Sequence, residues 1–304
     1  MLALAASPRD TSAPPGPVKL SPSEADTVRR SIEKDRADTR QWLKSGATSY
    51  LATVARVEFL QRMRLTVGRD RSNDVRLDDP TVRPHHLSVT VVGDSFRVEA
   101  LDDAARFKVK DADLRAATVG PNSIVIGRFT VRLSHQRYPA LIVFDPKSPR
   151  FASYKGIAYF PIDFGWRYVL PLTRNPHPDT VVILSTRGFQ RRAVREGWFD
   201  FVAGGTRCRL EASRLLEPGV GEGDIGVFFR DATTGKGTYE VGRYLDPVAL
   251  GDGHYLLDFN LAYNPACAYS EHYNCPIPPK ANRLKVAVRA GEKDPHTLDQ
   301  AKAH

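Results

Sequence analysis

After Gly46 the chain alternates apolar and polar residues with a period of two. Residues 63–67, 87–92, 95–100, 106–110 and 123–134 each read as a strand with one buried face. Gly93-Asp94 leaves two residues between the second and third of these runs, which predicts a hairpin turn. Asp145-Pro146-Lys147-Ser148-Pro149 interrupts the pattern. Beyond it, strands recur at 166–170, 180–186, 188–194, 206–211, 226–230, 254–259 and 284–289. A helical period appears only at the front. Ser21-Pro22-Ser23-Glu24 combines a capping box with proline in the first turn, and the helix is expected to stop at Gly46. Its apolar stripe is thin (Val28, Ile32, then Trp42 and Leu43), so it is expected to pack on a sheet. Short strands at close spacing with one helix predict an all-β, mainly antiparallel protein, a β-sandwich followed by a second sandwich or barrel. The divisions are a disordered tail over 1–20, the helix over 21–45, β modules over 46–140 and 141–293, and a tail over 294–304.

Composition narrows the class. At 304 residues, 41% hydrophobic and 26% charged, the chain is long enough for two ordinary globular domains. No apolar run approaches the ~18 residues of a membrane helix. Three cysteines exclude a disulfide scaffold and a multi-cysteine zinc module. No metal site and no cofactor are expected. The net charge of +9 invites a nucleic-acid reading, but its arginines fall within alternating strands. Residues 56–76 hold six arginines against Glu58, Asp70 and Asp74, and residues 180–214 hold seven against Glu196, Asp200 and Glu211. That spacing describes solvated strand faces, so nucleic acid is not expected as a partner. Met1–Ala6 is apolar but too short for a signal-peptide core, which places the protein in the cytoplasm, or outside it if this start is a truncated signal peptide.

Two phosphate-loop patterns fail on context. Gly221-Glu222-Gly223-Asp224-Ile225-Gly226 spells G-x-G-x-x-G, but a strand rather than a helix follows it. Gly235-Lys236 lacks both the earlier glycine and the following hydroxyl residue. The informative stretch is 258–282, which is aperiodic and rich in Pro, Asn and Tyr. A loop this long inside a domain is usually functional. Asp258, Asn260 and Asn264 offer directional hydrogen bonds, and Tyr263, Tyr269 and Tyr273 offer apolar faces, a mixture that suits a small polar ligand. Cys267 or Cys275 with His272 and Asp258 would make a hydrolase. The two cysteines are left either as a bonded pair or as two thiols, and Cys208 is expected to be a lone buried thiol.

Gly68-Arg69, Asn73 to Leu77, Asp79 to Val82 and His86 resemble the forkhead-associated (FHA) domain, a sandwich of eleven strands. The resemblance implies a phosphothreonine-binding edge at Gly68, Arg69 and His86. The chain departs from that pattern at the phosphate-binding serine, which is Arg83, at the next arginine, which is Pro84, and near Asp102-Asp103, where the peptide-holding asparagine is missing. Phe229 to Lys236, Gly242 to Leu245, Asp258 to Asn260, Ala262 to Pro265, Cys275-Pro276, Asn282 to Leu284 and Ala290 to Lys293 resemble the uncharacterised prokaryotic domain-of-unknown-function family 1684. No activity comes with that resemblance. The ligand-binding set is therefore Asp258, Asn260, Tyr263, Asn264, Cys267, His272 and Cys275, joined by Asp231, Arg243 and Asn282 from those motifs. The expected function is a binding or scaffold protein for a small polar ligand or a protein, with a hydrolase and a phosphopeptide-binding FHA module as alternatives.

Overall fold

The computed structural model describes residues 14–297. The expectations for 1–13 and 298–304 lie outside the described residues. Residues 14–20, expected to belong to a disordered tail, instead run beside the second β module. Val18 N donates to Arg167 O at 2.8 Å, and Val202 N donates to Pro15 O at 3.2 Å. Three prolines hold this segment extended, which suits such pairing.

The helix Pro22–Ser45 begins at its capping box, with Ser21 N donating to Glu24 Oε2 at 2.8 Å and Glu24 N donating to Ser21 Oγ at 3.4 Å. It buries only Ile32, Arg36 and Leu43. It packs on loops, not on a sheet. Leu43 meets Leu51 and Ile157, while the Arg36 guanidinium donates to the carbonyls of Phe160 (3.1 Å) and Asn260 (3.2 Å). A buried arginine needs free carbonyls, which irregular loops supply and a paired sheet does not.

Eleven strands make the first β module. One sheet has the order Thr53–Glu58, Ala140–Phe144, Phe129–Ser134, Ser123–Ile126, Phe107–Val109, Ala112–Leu114. The other has the order Val75–Arg76, Arg64–Gly68, Leu87–Val92, Ser95–Ala100, Ala116–Val119. All pairs are antiparallel except Arg64–Gly68 with Val75–Arg76. Leu65, Val67, Val89 and Phe96 of one sheet face Ile124, Ile126 and Val131 of the other in a common core. The expected hairpin forms, with Val92 opposite Ser95 across Gly93-Asp94. Ala140–Phe144 pairs on both sides, with Phe129–Ser134 and Thr53–Glu58, so the sandwich runs to Phe144 rather than ending at 140. That strand is buried on both faces and does not alternate, which hid it from a period-two reading.

The second module wraps smaller antiparallel sheets around another core. The long hairpin Arg191–Ala203 and Thr206–Leu215 contributes Phe199, Phe201, Leu210 and Ala212, and the pair Arg167–Pro171 and His254–Asp258 contributes Tyr168, Leu170 and Leu257. The strand expected over 284–289 does not form; the segment crosses the core as a loop with Leu284, Val288 and Ala290 buried. The stretch 258–282 contains only three short 3-10 turns, Phe259–Leu261, Ala266–Ala268 and Lys280–Asn282. It is held by backbone bonds such as Tyr263 N to Tyr244 O (3.0 Å) and Thr186 N to Cys275 O (3.0 Å). The modules meet where Tyr273 Oη and Thr53 Oγ1 share a 2.7 Å hydrogen bond and Arg187 pairs with Glu58 at 3.1 Å. Among the described residues, no helix is long and apolar enough to cross a membrane.

Candidate functional site

A cleft of about 320 Å³ lies between the N-terminal helix and the start of the aperiodic stretch. The helix supplies Asp35, Thr39 and Trp42 to its lining, and Asp246, Ala262, Tyr263, Asn264 and Glu292 come from later in the chain. Gly291 makes this arrangement possible. Its φ is +77°, and a Cβ there would stand 2.4 Å from Ala262 O and 2.8 Å from Phe259 O. Only glycine fits so close beneath the turn. The close approach lets Glu292 N donate to Ala262 O at 2.8 Å, which carries the side chain into the protein.

Glu292 is only 3% exposed. Its Oε2 accepts from Asn264 N (2.7 Å) and the Tyr269 hydroxyl (3.2 Å), whereas Oε1 accepts no hydrogen bond among the described residues. Burial pushes this carboxyl up to about 7 from an ordinary 4.5, more than the bonds from Asn264 and Tyr269 pull it down. Asp35 and Asp246 are exposed, but the protein around them removes enough water to raise both, and no arginine or lysine pairs with either among the described residues. Asp246 accepts only the Tyr263 hydroxyl, at 3.1 Å. Asn264 is 1% exposed; its Nδ2 donates to Lys293 O at 2.8 Å, but its Oδ1 has no partner. Tyr50, Tyr159, Tyr263 and Tyr269 complete the wall with Trp42, and no Lys, Arg or His side chain lines the cleft.

Of the residues singled out from sequence, Asp258, Asn260, Tyr263 and Asn264 reach this cleft. The first two are already occupied. Asp258 pairs with Arg167 and accepts from Asn260 N at 3.0 Å and Nδ2 at 2.8 Å, while Asn260 exchanges bonds with both backbone groups of Asp163. Asp231 and Arg243 do not line the cleft. They form a fully buried ion pair at 2.9 Å, and Arg243 also donates to the carbonyls of Val288 (2.8 Å), Ala290 and Glu292 (3.3 Å). This pair pins the backbone that carries Glu292, so both residues act as positioning groups. Asn282 is likewise structural: its Oδ1 accepts from Glu211 N at 2.6 Å, and its Nδ2 donates to the carbonyls of Glu211 and Phe228 at 2.9 Å.

The hydrolase set is not assembled. Cys267, His272 and Cys275 lie away from the cleft, and His272 sits 3.5 Å from Glu271 with no bond to either cysteine. Cys267 and Cys275 are unbonded neighbours, with Cys267 N donating to Cys275 Sγ at 3.3 Å. The hydrogen bond between the two thiols lowers Cys267 and raises Cys275. Cys208 is a lone buried thiol, as its alternating strand implied. Sequence reasoning missed Glu292, Asp35, Asp246 and Tyr159. The Gly291-Glu292 pair was the available signal, because a glycine beside an acid in a recognisable motif marks a close backbone approach.

At the other end of the molecule, Gly68, Arg69 and His86 meet at one edge of the sandwich. A Cβ on Gly68 would stand 2.2 Å from Pro84 O, so glycine lets the two loops touch. His86 is buried and buttresses both: its Nδ1 accepts from Arg83 N at 3.1 Å and its Nε2 donates to Arg106 O at 2.7 Å. Arg83, standing where the phosphate-binding serine belongs, turns to Asp102 at 3.1 Å. Arg69 remains exposed.

The architecture is thus an FHA-type sandwich joined to a second β module that holds an acidic, aromatic cleft. The chain belongs to the DUF1684 family of proteins of unknown function, which matches residues 152–293, and an FHA domain matches residues 65–127. An uncharacterized protein of Haloarcula marismortui, solved by NMR, is 35% identical over 49% of this chain and 82% of its own, with a TM-score of 0.40. The FhaA FHA domain, crystallised with the intracellular domain of another protein, is 18% identical over 26% of this chain and 78% of its own, with a TM-score of 0.20. Mycobacterium tuberculosis EmbR in complex with a low-affinity phosphopeptide is 18% identical over 38% of this chain and 31% of its own, with a TM-score of 0.22. No protein of curated function matches the chain.

Proposed function

We propose that this protein binds a small polar ligand in the cleft between its N-terminal helix and residues 258–264, with the FHA-like sandwich serving as a scaffold or docking module. The observation that carries this reading is Glu292, which lines the cleft at 3% exposure and whose Oε1 accepts no hydrogen bond among the described residues; beside it the buried Oδ1 of Asn264, on a residue 1% exposed, also has no partner. Buried polar atoms are normally satisfied, and each one left over costs about 1–3 kcal/mol. An unbonded carboxylate oxygen on a residue that lines an aromatic cavity is what a ligand with hydrogen-bond donors would complete. The volume is at the small end of ligand pockets, which usually hold ~300–1,000 Å³.

The test is a thermal-shift screen of defined polar metabolites (amines, sugars, carboxylates, nucleosides) on the full chain and on Thr39→Trp, which fills the cleft from the helix. Compounds that raise the melting temperature of the wild type and lose that effect in Thr39→Trp support the reading. Hits unchanged by the substitution, or an absence of hits, would sink it.

The phosphopeptide alternative has one supporting feature, the exposed Arg69 beside Gly68. It lacks the hydroxyl that would meet the phosphate, because Arg83 stands there and pairs with Asp102. Pro84 removes a backbone donor from the same loop. We therefore assign this edge to protein docking rather than to phosphothreonine reading.

A further inference from the structure

We infer that the ligand of the cleft is an organic cation, an ammonium group held between carboxylates and tyrosine rings; this rests on the binding role proposed above for the same site. The chain carries a net charge of +9, yet among the described residues no basic side chain lines this cavity. Several acids elsewhere take arginine partners: Asp200 holds Arg209, Glu211 holds Arg195 and Glu217 holds Arg191. In the cleft, Asp35, Asp246 and Glu292 have no ion-pair partner among the described residues. The uncharged oxygen beside them, Asn264 Oδ1, is an acceptor as well. Asp35 and Asp246 are exposed and Glu292 is buried, so the cleft presents a gradient of negative charge that selects a ligand with donors and positive charge.

The rings make the same choice. Tyr50 stacks on Tyr269 at 5.7 Å between centroids, and Trp42 meets the edge of Tyr50 at 4.8 Å. Aromatic faces attract ammonium groups by about 0.5–2 kcal/mol each, depending on how dry the contact is. The fold already uses this attraction next door, where the guanidinium groups of Arg36 and Arg40 lie 4.6 and 4.7 Å from the Tyr159 ring centre. Those two arginines do not line the cavity. Arg36 turns its Nη atoms to the carbonyls of Phe160 and Asn260, and Arg40 reaches toward Ile157 O. Among the described residues, no three acids, histidines or cysteines come close enough to hold a metal ion. The carboxylates are spread around the cavity, which fits a larger organic cation.

The probes are choline, its neutral isostere 3,3-dimethylbutan-1-ol, glucose and inorganic phosphate, each titrated calorimetrically into the full chain at pH 8. Choline is expected to bind at least tenfold more tightly than the isostere, and to weaken at least fivefold in Glu292→Gln and in Asp246→Asn. Asp246 is exposed, so its variant remains informative if Glu292→Gln folds poorly. Choline affinity should also rise between pH 5.5 and 8 in the wild type and stay flat in Glu292→Gln. The groups facing Glu292 from neighbouring elements are Asp35, Tyr154, Tyr159, Tyr269 and Arg243; burial moves the tyrosines further above that range, and Asp35→Asn serves as the control for the raised Asp35. Binding of the isostere, glucose or phosphate as tight as that of choline, lost on Thr39→Trp, would overturn the cation inference and leave the cleft reading intact. Binding by none of the probes would overturn the cation inference. The cleft reading itself fails only if the metabolite screen also returns no hit sensitive to Thr39→Trp.

Discussion

The FHA-like edge and the cleft both gather charged and polar side chains where loops meet, but they treat them in opposite ways. At the edge, the His86 ring is bonded at both nitrogens and Arg83 is paired with Asp102. Asn73 Oδ1 is the single buried side-chain atom without a partner there among the described residues. In the cleft, the exposed Asp35 and Asp246 and the buried Glu292 have no cation partner among the described residues, nor do Asn264 Oδ1 and the Tyr159 hydroxyl have a hydrogen-bond partner. A group that is fully bonded inside the chain stabilises the fold and has nothing left for a ligand. A group left unpaired weakens the fold and is available. By this criterion His86 and Arg83 serve the fold at the FHA-like edge, and the cleft is the candidate site.

Substitutions should separate the two kinds of residue. The largest effect is expected at Arg243, whose Nη atoms are bonded to Asp231 and to three carbonyls. Arg243→Met strands the buried Asp231 charge and frees three carbonyls, so urea unfolding should show a loss of about 3–5 kcal/mol. A loss below ~1 kcal/mol would remove Arg243 from the positioning role.

Glu292 should behave in the opposite sense. Its folded pKa of about 7 lies above the ordinary 4.5, so the folded state holds the proton more tightly than the unfolded chain. Stability from this group is therefore full below pH 4.5, falls as pH rises to 7, and stays low above it, a total of roughly 3 kcal/mol. Glu292→Gln should erase that fall and leave the variant more stable than the wild type at pH 8, as read from urea midpoints at pH 5 and pH 8. A variant less stable than the wild type at both values would make Glu292 a structural residue.

A smaller loss, about 2 kcal/mol, is expected for His86→Ala, which unpairs two buried backbone groups at the edge. The same comparison predicts no saturable, phosphate-dependent binding of a degenerate phosphothreonine library at micromolar concentration. Binding abolished by Arg69→Ala would reverse the assignment of that edge. The smallest effect concerns the thiols: denatured, unreduced protein should show three free thiols, because Cys208, Cys267 and Cys275 are all unbonded. A count of one would mean that Cys267 and Cys275 are joined.

The strands with one wet face were legible because alternation records burial directly, as in Leu87–Val92 and Ser95–Ala100. Ala140–Phe144 was not, because a strand covered on both faces has no period to read. For the candidate site, the aperiodic stretch contains Tyr263 and Asn264, which line the cleft. The same reasoning also admitted Asp231, Arg243 and Asn282, whose residue types suit a ligand as well as they suit a buried network. Burial and bonding decide between these roles, and neither is visible in residue type. Asp35 and Glu292, 257 positions apart in the chain, face each other only because the helix folds back over the turn after Asp258.

The most direct test of the account is the titration of Glu292 itself, followed by NMR of side-chain-labelled glutamate with Glu292→Gln to assign the signal. An inflection at about 7 in the free chain, moving down when choline is added, is the predicted result. An inflection near 4.5, unmoved by choline, would mean that the carboxylate is solvated or paired, and it would contradict the claim that the cleft is built around an unmet charge.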